Sequence, residues 1–470
     1  MGKSRVFEAR SPMPVSAEAL FAWHDREGAF MRLAPPWETV EVVEHQGEGI
    51  REGARVVVRL RLGPLSQTLT ARHTRYVPGS LFQDVQEAGP FSKWIHTHRM
   101  WDEGSAGTSL LEDEVEYVLP VGALGQAAGG GYARHRLERM FAYRHTVTRE
   151  DLRRHQAFAS QPRLTVAVSG ASGLVGGALV PFLTTGGHRV RRLVRGRPEA
   201  GDIAWAPGQG DMDVAALEGL DAVVHLAGEP IADGRWTPER KARIRASRVE
   251  GTRVLCESLA RLARPPRVLV CASALGFYGA RGEEVLTETS APGQGFLADI
   301  TREWEEATAP AERAGIRVVN LRLGVVLSAR GGALGKMLPA FLAGAGGRIG
   351  DGQQWLSWVC LEDVLGLVHF ALFTPDVRGA LNAVSPQPVR QAEFARTLGH
   401  VLSRPALVPL PAPAVRALFG EMGDAMLLGS TRVHPEVATR QGFPFLHPSL
   451  EQSLRFTLGR TTEGARFRHA

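Results

Sequence analysis

The sequence predicts an α/β protein, a doubly wound parallel sheet preceded by an α+β domain. Three observations lead there. The chain has 470 residues, more than one hydrophobic core usually organises. From Leu164 onward, apolar strand-like runs alternate with helical stretches, the order of a parallel sheet with crossover helices. Before residue 157 the order differs: a strand, a helical region, a series of strand-like runs and one long helix. That is the grammar of an α+β domain.

Taken in order, VFEARSPM is a short strand. Ser16 caps AEALFAWHDREGAFMRLA, a helical region ended by Pro35 and Pro36. The runs TVEVVEH, ARVVVRLRL, SQTLTARHTRYV, SLFQDVQEA, FSKWIHTHRMW and SLLEDEVEYVL follow, divided by turn signals such as GEGIREG, VPGS and DEGSAG. After GALGQAAGGG comes a basic stretch, Ala133 to His155. Leu137, Met140 and Phe141 recur in it at helical spacing. It therefore reads as an amphipathic helix with a solvated basic face, and no nucleic-acid partner is expected. His96 and His98 alternate on one strand face; without a third ligand they make no metal site, and no metal is expected.

This order of elements resembles the helix-grip fold of the START-like, polyketide-cyclase-type (SRPBCC) ligand-binding superfamily. The resemblance implies a domain over residues 1–157 in which a curved sheet wraps the last helix around an apolar cavity for a small hydrophobic ligand. A structural or assembly role is the alternative.

Composition excludes several classes. The chain is 44% hydrophobic and 22% charged, as a globular protein should be. Its net charge of +6 rests on arginine, since the lysines are only Lys3, Lys93, Lys241 and Lys336. No run approaches eighteen uncharged apolar residues, so no membrane span is expected. MGKSRVFEAR has no apolar core and is no signal peptide, and Val6 stands where a myristoylation motif needs Ser or Thr. Cys256, Cys271 and Cys360 are odd in number and far apart. They form neither a disulfide framework nor a metal pair, which suits a reducing cytoplasm.

RHQAFASQPR, residues 154–163, reads as a linker. LTVAVS, HRVRRLVR, DAVVHLAG, RVLVCAS and IRVVNLRL are the strands beyond it. Thr237 caps TPERKARIRASRVEGTRVLCESLARLA, with Pro238 in its first turn and Pro265 at its end.

Between the first of these strands and its helix lies SGASGLVGGAL, where Gly170, Gly173 and Gly176 fit G-x-x-G-x-x-G. Gly170 permits a tight turn, Gly173 lets the backbone approach a diphosphate, and Gly176 lets the helix lie close to the strand. The helix N-terminus supplies free N–H groups to the phosphates. An NAD site usually places Asp or Glu about 20 residues further on, to hold the ribose. Here Arg195 stands there, with Arg192 and Arg197 nearby and no carboxylate before Glu199. A cationic fork suits a 2′-phosphate, so the expected cofactor is NADP(H).

The glycine turn, HLAGEP and SALGFYG together resemble the extended short-chain dehydrogenase/reductases, and most closely their atypical NAD(P)-dependent epimerase/dehydratase-like branch, the epimerase family proteins. DAVVHLAGEPIADGRW, SRVEGT, GFLADITREWEEA, RLGVVLSARGGALGKMLPAF and DGQQWLSWVCLEDV carry the likeness, which runs from about Leu164 to Leu458. It implies a Rossmann-type domain over 164–388 and a family-specific helical segment over 389–458; beyond them GRTTEGARFRHA, residues 459–470, reads as a disordered tail. It also implies cofactor contacts from Gly170, Ser172, Gly173, Leu174, Val175 and Gly176, from Arg195, and from Leu226, Ala227, Gly228, Glu229 and Arg248. For Arg248 a helix-surface ion pair is the alternative.

Ordinary members of the superfamily carry Tyr-x-x-x-Lys, a tuned phenol that moves the proton while hydride passes to or from the nicotinamide. Phe296 and Ile300 align with those two positions, and no tyrosine or lysine lies between Gly279 and Gly335. Two groups remain as candidate catalytic residues. Ser273 resembles the family serine that hydrogen-bonds a substrate carbonyl or hydroxyl. Tyr278 is the last tyrosine of the chain, either a substitute acid or a packed, hydrogen-bonded side chain. Lys336 is a further candidate anion contact or an ordinary surface lysine, Asp363 is read as a helix cap, and Trp355 and Trp358 as pocket walls. The expected function is an NADP(H)-dependent oxidoreductase or epimerase-like enzyme for a small carbonyl or hydroxyl compound. The alternatives are a cofactor-binding sensor or scaffold without turnover, and an apolar-ligand carrier acting through the first domain.

Overall fold

The computed structural model describes residues 4–62, 65–104, 107–120, 122–209 and 211–469. Contacts divide the chain into two units. The first comprises residues 1–160, 181–187 and 456–470, the second 161–180 and 188–455.

The first unit is an antiparallel sheet with a long helix. It begins with β1 (Arg5–Met13), α1 (Ala17–Asp25) and α2 (Ala29–Arg32). The strands β2 (Thr39–Gln46), β3 (Arg55–Leu62), β4 (Leu65–Val77), β5 (Leu81–Ala88), β6 (Lys93–Asp102) and β7 (Ser109–Val118) follow, then α3 (Gly122–Gln156). Ser16 caps α1 as expected, its Oγ accepting the Ala19 N–H at 3.3 Å. The glycine run 129–131 falls inside α3 rather than before it, despite the low helix propensity of glycine. β2 to β7 form a meander in which β1 returns beside β7. Phe7 of β1 meets Phe141 of α3 with ring centroids 5.2 Å apart, and Trp23, Leu20, Met100 and Leu111 fill the space beneath α1.

The tail differs from expectation. Arg466–His469 forms an eighth strand, antiparallel to β1, with Phe467 opposite Ala9. Phe467 packs its ring against Phe7 at 5.7 Å. Short alternation of basic and apolar residues looks like a polar tail in the sequence, yet an open edge on β1 gives those backbone groups partners.

The second unit contains β8 (Thr165–Ser169), α4 (Leu174–Thr185), β9 (Arg189–Val194), β10 (Ile203–Ala206), β11 (Asp211–Met212) and β12 (Ala222–His225). It continues with α5 (Pro238–Leu259), β13 (Val268–Ala274), β14 (Val285–Leu286), α6 (Phe296–Glu306) and β15 (Arg317–Leu323). The sheet order is β11-β10-β9-β8-β12-β13-β15, closed by the strand Gly379–Ala383. All neighbours are parallel except β10 and β11. β8, β12 and β13 are buried almost throughout, which is why they read as continuous apolar runs. Chain order reverses between β8 and β12, so the crevice beyond their C-terminal ends is a topological switch point. Helices at Gln391–Leu402, Ala412–Phe419 and Leu450–Thr457 follow.

Candidate functional site

The glycine turn and the HLAG turn meet at that switch point. Gly170 has φ +67°, and a Cβ there would lie 2.8 Å from the Leu226 carbonyl carbon. A Cβ on Gly176 would overlap the Gly170 carbonyl oxygen. Each glycine thus allows one close backbone approach, and no other residue fits. Ser172 and Gly173 are exposed, Leu174 and Val175 half-buried, and α4 opens at Leu174. This is an exposed glycine turn at a helix start, the kind of place that suits a diphosphate.

A buried network that the sequence did not reveal fixes the second turn. His225 ends β12, with Nδ1 2.7 Å from Ser169 Oγ and Nε2 3.0 Å from Thr252 Oγ1. Ser169 Oγ accepts the N–H groups of Leu226 and Ala227 at 3.1 and 3.3 Å. Its own proton therefore goes to His225, which in turn donates through Nε2 to Thr252. Thr252 also accepts the Trp304 indole N–H at 2.9 Å. Burial pushes His225 down to about 4, so a neutral ring holds the turn.

Arg248 makes no helix-surface ion pair among the described residues. Its guanidinium donates to the Glu229 carbonyl at 3.0 Å and stacks over Trp304 at 5.2 Å. It also lies under Gly228, whose added Cβ would come within 3.3 Å. Burial lowers it to about 10. It braces the 226–229 turn from α5, while the Glu229 carboxylate accepts from Arg243 at 3.2 Å. Of the three arginines after β9, Arg192 is engaged by Asp202 through two 2.8 Å bonds and by Glu199. Arg195 and Arg197 are exposed and make no ion pair among the described residues.

The candidate catalytic residues form one chain of contacts. Ser273 Oγ donates to Glu305 Oε1 at 2.5 Å. Arg322 holds both Glu305 oxygens at 2.8 Å and donates to the Tyr278 hydroxyl at 2.8 Å. Tyr278 donates to Asn382 Oδ1 at 2.7 Å and is fully buried. Burial pushes its phenol up, with Arg322 opposing. Glu305, Arg322 and Asn382 had no signal in the sequence, because they come from a helix and two strands far apart in the chain.

A model of the NAD dependent epimerase/dehydratase family matches residues 166–383, and one for a domain of unknown function, DUF1731, matches 410–457. The chain is 41% identical over 296 residues to an epimerase family protein of Mycobacterium bovis, covering 63% of this chain and 98% of that protein. This chain belongs to the epimerase family. Human epimerase family protein SDR39U1 is 35% identical over 295 residues, covering 62% of this chain and 99% of that one. Two solved structures superpose well. One is described as a nucleoside-diphosphate sugar epimerase from Corynebacterium glutamicum, with TM-score 0.78, 34% identity, and coverage of 96% of this chain and 90% of that one. The other is human SDR39U1 with NADPH, with TM-score 0.59, 34% identity, and coverage of 63% and 99%.

Phe296 and Ile300 lie on α6 in an apolar cluster with Trp236, Ile244, Val249 and Met422. The remaining candidates also find ordinary partners. Lys336 pairs with Asp233 at 2.6 Å and the Ala232 carbonyl. Asp363 does not cap the helix Leu361–Phe373: Cys360 holds that position, and Asp363 accepts the Leu446 N–H at 2.8 Å. Trp358 is fully buried, while Trp355 lies between Arg390 and Arg432 at 4.1 and 4.5 Å. No described helix is long and apolar enough to cross a membrane.

Proposed function

We propose that this chain binds NADP(H) in the 170–176 cradle and acts as an oxidoreductase or epimerase-like enzyme on a small carbonyl or hydroxyl compound. The observation that carries the cofactor reading is Arg195, exposed and uncommitted beyond β9, beside an Arg192 already neutralised by Asp202. The SDR39U1 relative with NADPH supports it. Gly170, Ser172, Gly173, Leu174 and Val175 would hold the diphosphate, Leu226 to Gly228 the adenosine side, and Arg195 a 2′-phosphate. The bound nicotinamide would supply or take up hydride.

Ser273 would move the proton. Its hydrogen is directed at Glu305, which would leave an oxygen lone pair for a substrate O–H, provided that the substrate reaches this serine, now 2% exposed. A substrate proton can then pass to Ser273 while the serine proton passes to Glu305, with Arg322 fixing the carboxylate. Tyr278, with both hydroxyl roles occupied, supports the packed reading instead. The loss of the dyad favours a second reading, a cofactor-binding sensor without turnover. For the first unit, the antiparallel sheet and long helix support a helix-grip ligand domain. Its interior carries His96, His98, Asp113 and His145, so a ligand there would meet imidazoles and carboxylates rather than a uniformly apolar wall.

Calorimetric titration with NADPH and NADH tests the cofactor reading. NADPH should bind at least ~10-fold more tightly, since one charge-assisted bond contributes ~1.5–3 kcal/mol. Arg195→Asp should abolish that preference. Binding of neither nucleotide would remove the enzyme and sensor readings together. NADPH oxidation across a carbonyl panel, slowed by Ser273→Ala, separates the enzyme from the sensor.

A further inference from the structure

The geometry points to a divalent transition-metal site inside the first unit, held by Asp84, His96 and His98. Sequence alone offered two histidines and no third ligand; the sheet register supplies it. His96 and His98 share one face of β6. Asp84 of β5 stands opposite His96, and Asp113 of β7 stands opposite His98. One donor atom from each of Asp84, His96 and His98 lies within 4.8 Å of the other two. His96 Nδ1 and Asp84 Oδ1 are 3.4 Å apart. Two ligands on one ion with bonds of ~2.0–2.2 Å are separated by roughly this distance.

The surroundings match what orients metal-bound imidazoles. A metal-ligating histidine gives its other nitrogen to a carboxylate. Here His96 Nε2 meets Asp113 Oδ1 at 2.9 Å, which leaves Nδ1 facing Asp84. Asp113 is anchored in turn: its Oδ2 meets His145 Nε2 at 2.6 Å, and His145 Nδ1 lies 2.8 Å from Ser11 Oγ. Ser11 donates to the Gly464 carbonyl at 2.8 Å. His98 packs face to face on Phe82 at 3.9 Å, and its Nδ1 is buried without a well-directed hydrogen bond, although Asp113 Oδ1 is 2.5 Å away. His96, His98, Asp113 and His145 are all buried.

Such a set is costly to enclose unless its charges are matched. A divalent ion would supply positive charge beside Asp84 and the buried Asp113 carboxylate. Two nitrogens and a carboxylate oxygen suit Zn²⁺ or Fe²⁺, and three protein donors leave a position open for a water or a small ligand.

The test is titration of the metal-stripped full chain with Co²⁺. One equivalent should bind, with visible ligand-field bands, and Zn²⁺ should displace it. X-ray absorption of the Zn²⁺-loaded protein should show imidazole scattering and no sulfur. Asp84→Asn and His98→Gln should lose the bands, and Asp113→Asn should weaken binding ~10–100-fold. Circular dichroism checks that each variant folds; if one does not, the X-ray absorption of the unmodified chain decides. No uptake by the folded wild type, uptake that survives both ligand substitutions, or a zinc shell without imidazole would each overturn the proposal. NADPH affinity is read separately and does not bear on it.

Discussion

Ser273 and Glu305 share a 2.5 Å hydrogen bond whose carboxylate is clamped on both oxygens by Arg322. The Arg322 and Glu305 side chains are 5% and 13% exposed, so this pair is largely removed from water. Arg322→Met should therefore cost about 3 kcal/mol, because a buried carboxylate left without its partner is far worse than no pair at all. Urea unfolding measures this. A change under about 0.5 kcal/mol would mean that the pair is solvated.

Tyr278→Phe separates packing from catalysis. Removing the hydroxyl leaves Asn382 Oδ1 and one Arg322 N–H without their partner, so stability should fall by about 1–3 kcal/mol. NADPH affinity and any measured turnover should stay within two-fold of wild type. Lost turnover at unchanged stability would make Tyr278 the acid after all.

His225 ties stability to pH. Burial takes it from 6.5 to about 4, so between those values the unfolded chain binds a proton that the folded chain refuses. Its contribution is fully present above pH 6.5 and is lost as pH falls through 4. The slope over that window should amount to roughly 3 kcal/mol at most. His225→Gln should flatten it, and should weaken NADPH binding by loosening the 226–229 turn. A denaturation series from pH 7.5 to 4.5 reads the first, calorimetry the second.

Gly176→Ala should cut NADPH affinity at least ~10-fold, equivalent to about 1.4 kcal/mol. The new methyl can enter only by moving α4 away from the Gly170 carbonyl, and with it the N–H groups that would face the phosphates of a bound dinucleotide. Gly177→Ala is the control, since a Cβ there lies 3.6 Å from its nearest neighbour, the Ala171 carbonyl oxygen. Equal losses in both would point to helix propensity rather than to the cradle.

How much of this was legible beforehand depended on range. Period and punctuation marked the strands of both units, the Ser16 and Thr237 caps and the glycine turn, because those signals are local. β10, β11 and the strand Gly379–Ala383 were not marked as strands of the sheet: they are short and flanked by glycine and proline, so only their neighbours define them. The contacts of Arg322 with Glu305, and of His225 with Ser169, join residues 17 and 56 positions apart. Nothing in a linear pattern ties such residues to one another. The third ligand beside His96 and His98 was hidden for the same reason, since strand register is set by the whole meander.

The strand Arg466–His469 makes the second unit an insert. The chain leaves the first unit near residue 160, builds the nucleotide-binding sheet, and returns to complete the edge it left open at β1. A protease nick in the connecting segment would therefore yield two fragments still stitched together by backbone pairing between β1 and the last strand. On the ribosome, the inserted sheet can finish folding while the unit that began first still waits for its closing strand. Deleting the final residues would not trim a loose end. It would bare β1 and offer a second copy of the chain a place to pair.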